Sequence, residues 1–138
     1  MDFTSIIEYT GNLRTEAVHV KSNSKLITDA PTDNNGKGEA FSPTDLLATS
    51  LVSCMITIMG ISANNHNIKL GAINAEMTKH MVSNPRRVEQ IDINLQVHGT
   101  YSEKQKEILK LAAINCPVAK SLHPDIKQNL VMKFTQEA

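Results

Sequence analysis

The sequence predicts an α+β fold: an N-terminal antiparallel β-meander, a buried central helix, a β-hairpin, a second helix and a last strand. Residues 3–30 contain three short strand-like segments with turn signals between them, which favours a meander. Residues 46–68 carry no Asp, Glu, Lys or Arg, as expected of a helix buried on most sides. Residues 91–97 alternate strictly between apolar and polar side chains, with Ile91, Ile93, Leu95 and Val97 as the apolar ones. At 138 residues, the chain is predicted to form a single domain over residues 1–138.

The N-terminal strands are predicted over residues 3–10, 13–21 and 26–30, with Gly11-Asn12 as the first turn. Arg14 would begin the second strand, on the side that also carries Val18 and Val20. The segment after the third strand, DAPTDNNGKGEAF, is rich in turn-forming residues and reads as a loop. Its GKG lacks the glycine spacing and the following Ser or Thr of a phosphate-binding loop.

The central helix has a strong start signal, because Ser42 can cap it, Pro43 suits its first position and Asp45 completes a capping box. Steps of three and four residues predict one apolar face, made of Leu47, Leu51, Cys54, Ile58 and Ile61. A second apolar face is predicted to carry Val52, Met55 and Met59. Another face carries small residues that would let a second backbone approach, namely Ser50, Ser53, Thr57 and Gly60. A membrane span is the alternative, but the five Ser/Thr residues and the missing basic flanks disfavour it.

The second half of the chain is predicted to begin with a strand over residues 73–81, a turn at 83–85 and a further strand from Val88. Ser102 and Gln105 form a capping-box pattern for the second helix. Its predicted buried side consists of Ile108, Leu111 and Ala112. A further helical turn over residues 118–122 would have Pro117 as its first residue and Cys116 as its cap, and Leu130, Met132 and Phe134 alternate in a last strand.

Charge and composition limit the partners. Lys+Arg and Asp+Glu both number 14, so the chain lacks the basic excess of proteins that bind nucleic acid or anionic membranes. The first residues show no basic region followed by a long apolar run, so we expect no signal peptide. We therefore expect a cytoplasmic protein, with both cysteines normally reduced.

The two cysteines are the residues with candidate chemistry. Cys54 can be a plain core thiol, because free Cys is among the most buried residue types. A zinc site is disfavoured, since Cys54 and Cys116 are far apart in sequence and the five histidines form no ligand pair. Cys116 would start a helix, which is expected to lower the pKa of its thiol.

Cys54 lies in the middle of its helix and gains nothing from a helix end, so its reactivity would require a nearby cation. Arg14 is the arginine placed on a strand among core-facing residues. A buried Arg requires a carboxylate, for which Asp45 is the candidate, alone or in addition to its capping role.

The segments SPTDLLATSLVSC, NCPVAKSL and TGNLRTE together resemble, in order, the motifs of the OsmC/Ohr family of thiol-dependent hydroperoxide reductases. The resemblance implies an intertwined homodimer in which Cys54 is the peroxidatic cysteine, Cys116 the resolving cysteine and Arg14 the thiolate activator. It implies hydroperoxide as substrate, an external dithiol as reductant, and no metal, flavin or haem.

One position departs from the family pattern. Typical members have Glu directly after the helix-opening Pro, where this chain has Thr44; the acid follows one residue later, as Asp45. One residue turns a side chain by about 100° around a helix. Either Arg14 is held differently, or the chain belongs to a divergent OsmC-like branch whose substrate is not an organic hydroperoxide. The alternative to an enzyme is a non-enzymatic dimer of this fold that binds an apolar small molecule or senses the thiol redox state.

Overall fold

The computed structural model describes residues 2–136. These residues form two compact units, unit 1 (residues 2–47) and unit 2 (residues 48–136). The elements are β1 (Ser5–Gly11), β2 (Arg14–His19), β3 (Lys25–Asp29), a 3-10 turn (Thr32–Asn34), α1 (Pro43–Asn65), β4 (Ile73–Val82), β5 (Arg87–His98), α2 (Glu103–Ile114), α3 (Pro117–Ser121) and β6 (Lys127–Thr135). The predicted α+β class is confirmed, and the extent of the domain as residues 1–138 stays a prediction.

Unit 1 contains the predicted meander. Its strands pair antiparallel in the order β1–β2–β3. The turn from β1 to β2 uses left-handed backbone at Asn12 and Leu13, with φ of 56° and 63°. The register of β2 and β3 places Arg14 directly opposite Asp29, so the two side chains extend from the same face of the sheet.

Unit 2 contains a second three-stranded sheet, in the order β4–β5–β6. β4 and β5 form the predicted antiparallel hairpin. β6 pairs with β5 in parallel, a pairing that sequence reasoning did not assign. Parallel neighbouring strands need a long crossover connection. Here α2 and α3 supply it, and Cys116 lies within this crossover.

The core of unit 2 joins α1, β5 and α2. Its central side chains are Leu51, Met55 and Met59 from α1, Leu109 and Ala113 from α2, and Ile91, Ile93, Leu95 and Val97 from β5. The β5 alternation is thus confirmed.

The predicted helix faces are wrong in part, because Leu47, Ile61 and Leu111 are exposed. In both helices the buried stripe is centred about one residue away from the predicted one, which corresponds to a rotation of about 100°. Met55, which was predicted on the second apolar face, is therefore more deeply buried than Cys54, which was predicted on the most apolar one.

α1 is long and apolar enough to cross a membrane, with a mean hydropathy of 1.9 over its most apolar window. This is weak evidence for a span, because the core helix of a soluble protein meets the same criteria. Six of its residues are buried within the chain: Ala48, Leu51, Val52, Met55, Met59 and Ala63.

The face of the second sheet opposite the β5 core residues is polar, and the carboxylate of Asp92 lies at the centre of a group of hydrogen bonds on this face. Its carboxylate accepts hydrogen bonds from Asn129 Nδ2 at 2.9 Å and Gln90 Nε2 at 2.8 Å, and lies 2.6 Å from His80 Nε2. These contacts, with that of Asn129 the strongest, lower the pKa of Asp92 to about 2. Asp92 thus links all three strands of the sheet.

We predict that Asp92→Asn reduces stability at neutral pH and that its effect shrinks in acid. A depressed carboxyl pKa contributes stability that is complete above the unfolded-state value near 4 and is lost as the pH falls through about 2. Urea midpoints of wild type and variant should therefore converge between pH 4 and pH 2. Glu76→Gln, on the same face of β4, is the control and should change the midpoint little. A constant difference between wild type and Asp92→Asn down to pH 2 would contradict the assignment.

Candidate functional site

Cys116 lies at the junction of α2 and α3. α2 ends at Ile114, and the N–H of Asn115 donates to the carbonyl of Leu111 at 3.1 Å. Pro117 then starts α3 with Cys116 as its N-cap, as predicted, and the Cys116 Sγ accepts a hydrogen bond from the N–H of Ala119 at 3.4 Å. The Cys116 side chain belongs to the core of unit 2 and is 0% exposed.

Cys54 contacts Cys116. Cys54 lies at the middle of α1, is half-buried and packs against the margin of the unit 2 core. Its thiol lies within hydrogen-bonding reach of the Cys116 thiol, and both cysteines are free. The fold of unit 2 thus brings together two thiols that are remote in sequence, with one partly open to solvent and the other enclosed.

The surroundings of Cys116 favour its protonated form. Burial raises the pKa of the Cys116 thiol, and the adjacent Cys54 raises it further, while the N–H groups of Ala119 and Val118 act in the opposite direction. The prediction that a helix start would lower the pKa of Cys116 is therefore wrong, because desolvation outweighs the backbone donors. A protonated, enclosed thiol is suited to act second, after its neighbour has reacted.

Arg14 is held by Asp29 within unit 1. Arg14 Nε donates to Asp29 Oδ1 at 2.7 Å and Nη2 donates to Oδ2 at 2.8 Å, a two-point contact. Asp29 is only 1% exposed, and the backbone N–H of Glu39 also donates to its Oδ2 at 3.1 Å. The Glu39 carboxylate adds a weaker contact to Arg14 Nη2 at 3.3 Å. The hydrogen bond from Arg14 is the main reason that the pKa of Asp29 is lowered.

The carboxylate that contacts Arg14 in this structure is Asp29 rather than the predicted Asp45, and a catalytic role for Asp45 stays a prediction. Asp45 forms the predicted capping box: its Oδ2 accepts from the N–H of Ser42 at 3.0 Å, and its own N–H donates to Ser42 Oγ at 3.1 Å. The signal missed in the sequence is the short β2–β3 hairpin, whose register pairs the first residue of β2 with the last residue of β3.

Metal ligands are not clustered in this structure. Across residues 2–136, no group of three or more His, Cys, Asp or Glu side chains is arranged to hold a metal ion.

The sequence model of the OsmC-like protein family matches residues 36–131 of this chain. The chain belongs to the OsmC-like family. The match includes both cysteines, together with α1 and the α2–α3 junction.

A solved structure from Psychrobacter arcticus 273-4 has 51% sequence identity, covers 96% of each chain and superimposes with a TM-score of 0.91. The name of that protein provisionally assigns it to osmotic stress induction and a detoxification response.

Two more distant structures share the fold of this OsmC-like chain. An organic hydroperoxide resistance protein OsmC from Legionella pneumophila is 19% identical, with 95% of this chain and 97% of that chain covered and a TM-score of 0.71. An organic hydroperoxide resistance protein from Elizabethkingia anophelis is 15% identical, with coverages of 97% and 98% and a TM-score of 0.72. No curated protein has a significantly similar sequence.

Proposed function

We propose that this OsmC-like protein is a thiol-dependent hydroperoxide reductase that acts through Cys54 and Cys116 in oxidative stress defence. The single observation that carries the proposal is the contact between the half-buried Cys54 thiol and the enclosed Cys116 thiol. A two-cysteine peroxidase requires one sulfur that a peroxide can reach. It also requires a second sulfur close enough to form a disulfide with the first.

In the first step, the Cys54 thiolate attacks the terminal oxygen of the hydroperoxide. The S–O bond forms as the O–O bond breaks, and the leaving alkoxide takes up a proton to become an alcohol. Cys54 is thereby oxidised by two electrons to a sulfenic acid. Cys54 takes this role because Cys116 is fully enclosed and burial raises the pKa of the Cys116 thiol.

In the second step, the Cys116 sulfur attacks the sulfenic sulfur of Cys54. A disulfide forms, and the sulfenic oxygen leaves as water together with the proton of Cys116. An external dithiol then reduces the disulfide by thiol–disulfide exchange and is itself oxidised to a disulfide. The cycle uses no metal, flavin or haem.

The cation in this scheme is Arg14, which favours the Cys54 thiolate over the thiol. Support comes from its fixed charge and its two-point contact with Asp29, which holds the guanidinium in one orientation.

Organic hydroperoxides are the proposed substrates. Cys54 packs against the apolar core, so the carbon part of a peroxide that reaches it meets apolar groups rather than charges. Leu51 is enclosed in the core and presents no surface to a ligand. Ile58 is half-buried and remains a candidate lining residue.

The proposed assembly is a cytoplasmic homodimer. β1 exposes Ile6 and Ile7, which extend from opposite faces of the sheet, and a three-stranded sheet with apolar residues exposed on both faces requires further cover. On α1, Ile61 is exposed, and among the described residues nothing beyond the neighbouring turns of the helix itself lies within 4 Å of a Cβ added at Gly60. A second copy of the chain would cover these surfaces.

We predict that the wild-type protein consumes cumene hydroperoxide rapidly in the presence of a dithiol such as dihydrolipoamide. Cys54→Ser should lower the rate of peroxide consumption at least about 100-fold, because it removes the attacking sulfur. Cys116→Ser should retain the first step but over-oxidise Cys54 to the sulfinic acid at lower peroxide concentrations, because no neighbouring thiol captures the sulfenic acid. The measurements are peroxide consumption and the mass of the Cys54 peptide.

Two results would count against the enzyme. If the wild type consumes no peroxide but binds an apolar ligand, the non-enzymatic alternative is supported. If Cys54→Ser matches the wild type, the site assignment is wrong.

We further predict a stable dimer at micromolar concentration in sedimentation velocity. Ile61→Lys should weaken it, because it places a charge on the exposed face of α1. Val131→Lys is the matched control, since Val131 of β6 is 49% exposed and Ile61 is 51% exposed. A wild type that sediments as a monomer would refute the assembly, and equal effects of the two variants would refute the use of α1.

A further inference from the structure

We infer that Asp29 is the positioning residue for Arg14, in the role that a glutamate at the start of α1 would otherwise fill. The inference rests on the proposed function, in which Arg14 favours the Cys54 thiolate. Asp29 acts through Arg14 and does not itself touch the peroxide or the reacting sulfur.

The contacts within unit 1 support this role. Asp29 is the last residue of β3 and faces the first residue of β2, so its distance from Arg14 is set by strand register rather than by a mobile loop. Its two oxygens accept from Nε and Nη2 of Arg14, which fixes both the position and the plane of the guanidinium.

Because Asp29 is buried, its carboxylate requires strong hydrogen-bond donors. Asp29 is enclosed, and an enclosed carboxylate is stable only when it is paired and fully hydrogen-bonded. The backbone N–H of Glu39 supplies an additional bond to Asp29 Oδ2, which ties the 29–41 loop to the same ion pair.

Glu39 differs from Asp29 although it also contacts Arg14. Its side chain is 65% exposed, and its single contact is longer, at 3.3 Å. Exposed ion pairs of this kind contribute little and are screened by salt. Glu39 is therefore the matched comparison: a second carboxylate on the same guanidinium, without the enclosure and without the two-point geometry.

The experiment measures the rate of Cys54 alkylation against pH, together with the rate of reaction with cumene hydroperoxide at pH 7. It uses the full chain, with circular dichroism to verify folding. Arg14→Ala should move the pH midpoint of alkylation upward by a unit or more and slow the peroxide reaction about tenfold or more. Asp29→Asn should move the midpoint in the same direction by at least about half a unit, a roughly threefold effect. Glu39→Gln should leave it close to the wild type.

Two further variants separate positioning from general support of the fold. Arg14→Lys keeps the positive charge but cannot make the two-point contact, so it should behave like Arg14→Ala. The double variant Asp29→Asn with Arg14→Ala should show no larger shift than Arg14→Ala alone, because Asp29 acts only through Arg14.

The outcomes distinguish this inference from the proposed function. If Arg14→Ala shifts the curve while a folded Asp29→Asn overlays the wild type, Asp29 is not the positioning residue, although the activation by Arg14 stands. If Asp29→Asn does not fold, Arg14→Lys becomes the deciding variant. An alkylation curve of Arg14→Lys that overlays the wild-type curve then overturns the inference. If Arg14→Ala itself overlays the wild type, Arg14 does not activate Cys54, and both the cation assignment and the inference fall.

Discussion

The contact between Cys54 and Cys116 is the interaction on which the account depends. It exists because α1 and α2 pack their buried stripes, through Leu51, Met55 and Leu109, into one core with β5. The proline after Cys116 then stops α2 and starts α3, which turns the Cys116 thiol into the core. Neither feature depends on a disulfide, since both cysteines are free in this structure.

Burial makes the two thiols chemically different. Desolvation raises the pKa of Cys116 and keeps that sulfur protonated beside Cys54, so only one of the pair is suited to be an attacking thiolate. Desolvation also determines the form of the Arg14 ion pair, because an enclosed Asp29 carboxylate must be matched by two strong donors. In both places the protein encloses a polar group and compensates it with a specific neighbour.

Much of the fold could be predicted from the sequence, because its signals are local. The period-two pattern of β5 and the capping boxes at Ser42 and Ser102 locate these elements without tertiary information. The parallel pairing of β6 could not be predicted, because it depends on a crossover rather than on local pattern.

The candidate site could be predicted less completely. Both cysteines and Arg14 were named as candidates from the sequence, but the contact of Arg14 with Asp29 was missed, because an aspartate at the end of a strand has no local signature and its pairing comes from strand register. The buried face of α1 was predicted in part: Leu51 and the second apolar face of Val52, Met55 and Met59 are buried, but Leu47 and Ile61 are exposed. Ile61 is as apolar as Met59, so the pattern alone could not decide which of them faces the core.

The central claim is that reaction with peroxide, before any dithiol reduces the protein, leaves a disulfide between Cys54 and Cys116 of the same chain. The most direct test treats the reduced protein with one equivalent of cumene hydroperoxide, blocks free thiols under denaturing conditions and maps the peptides by mass without reduction. The account predicts a loss of two hydrogens from the intact chain and a cross-linked peptide that contains Cys54 and Cys116. A sulfinic or sulfonic acid at Cys54 beside an alkylated Cys116, or a disulfide between two chains, would contradict it.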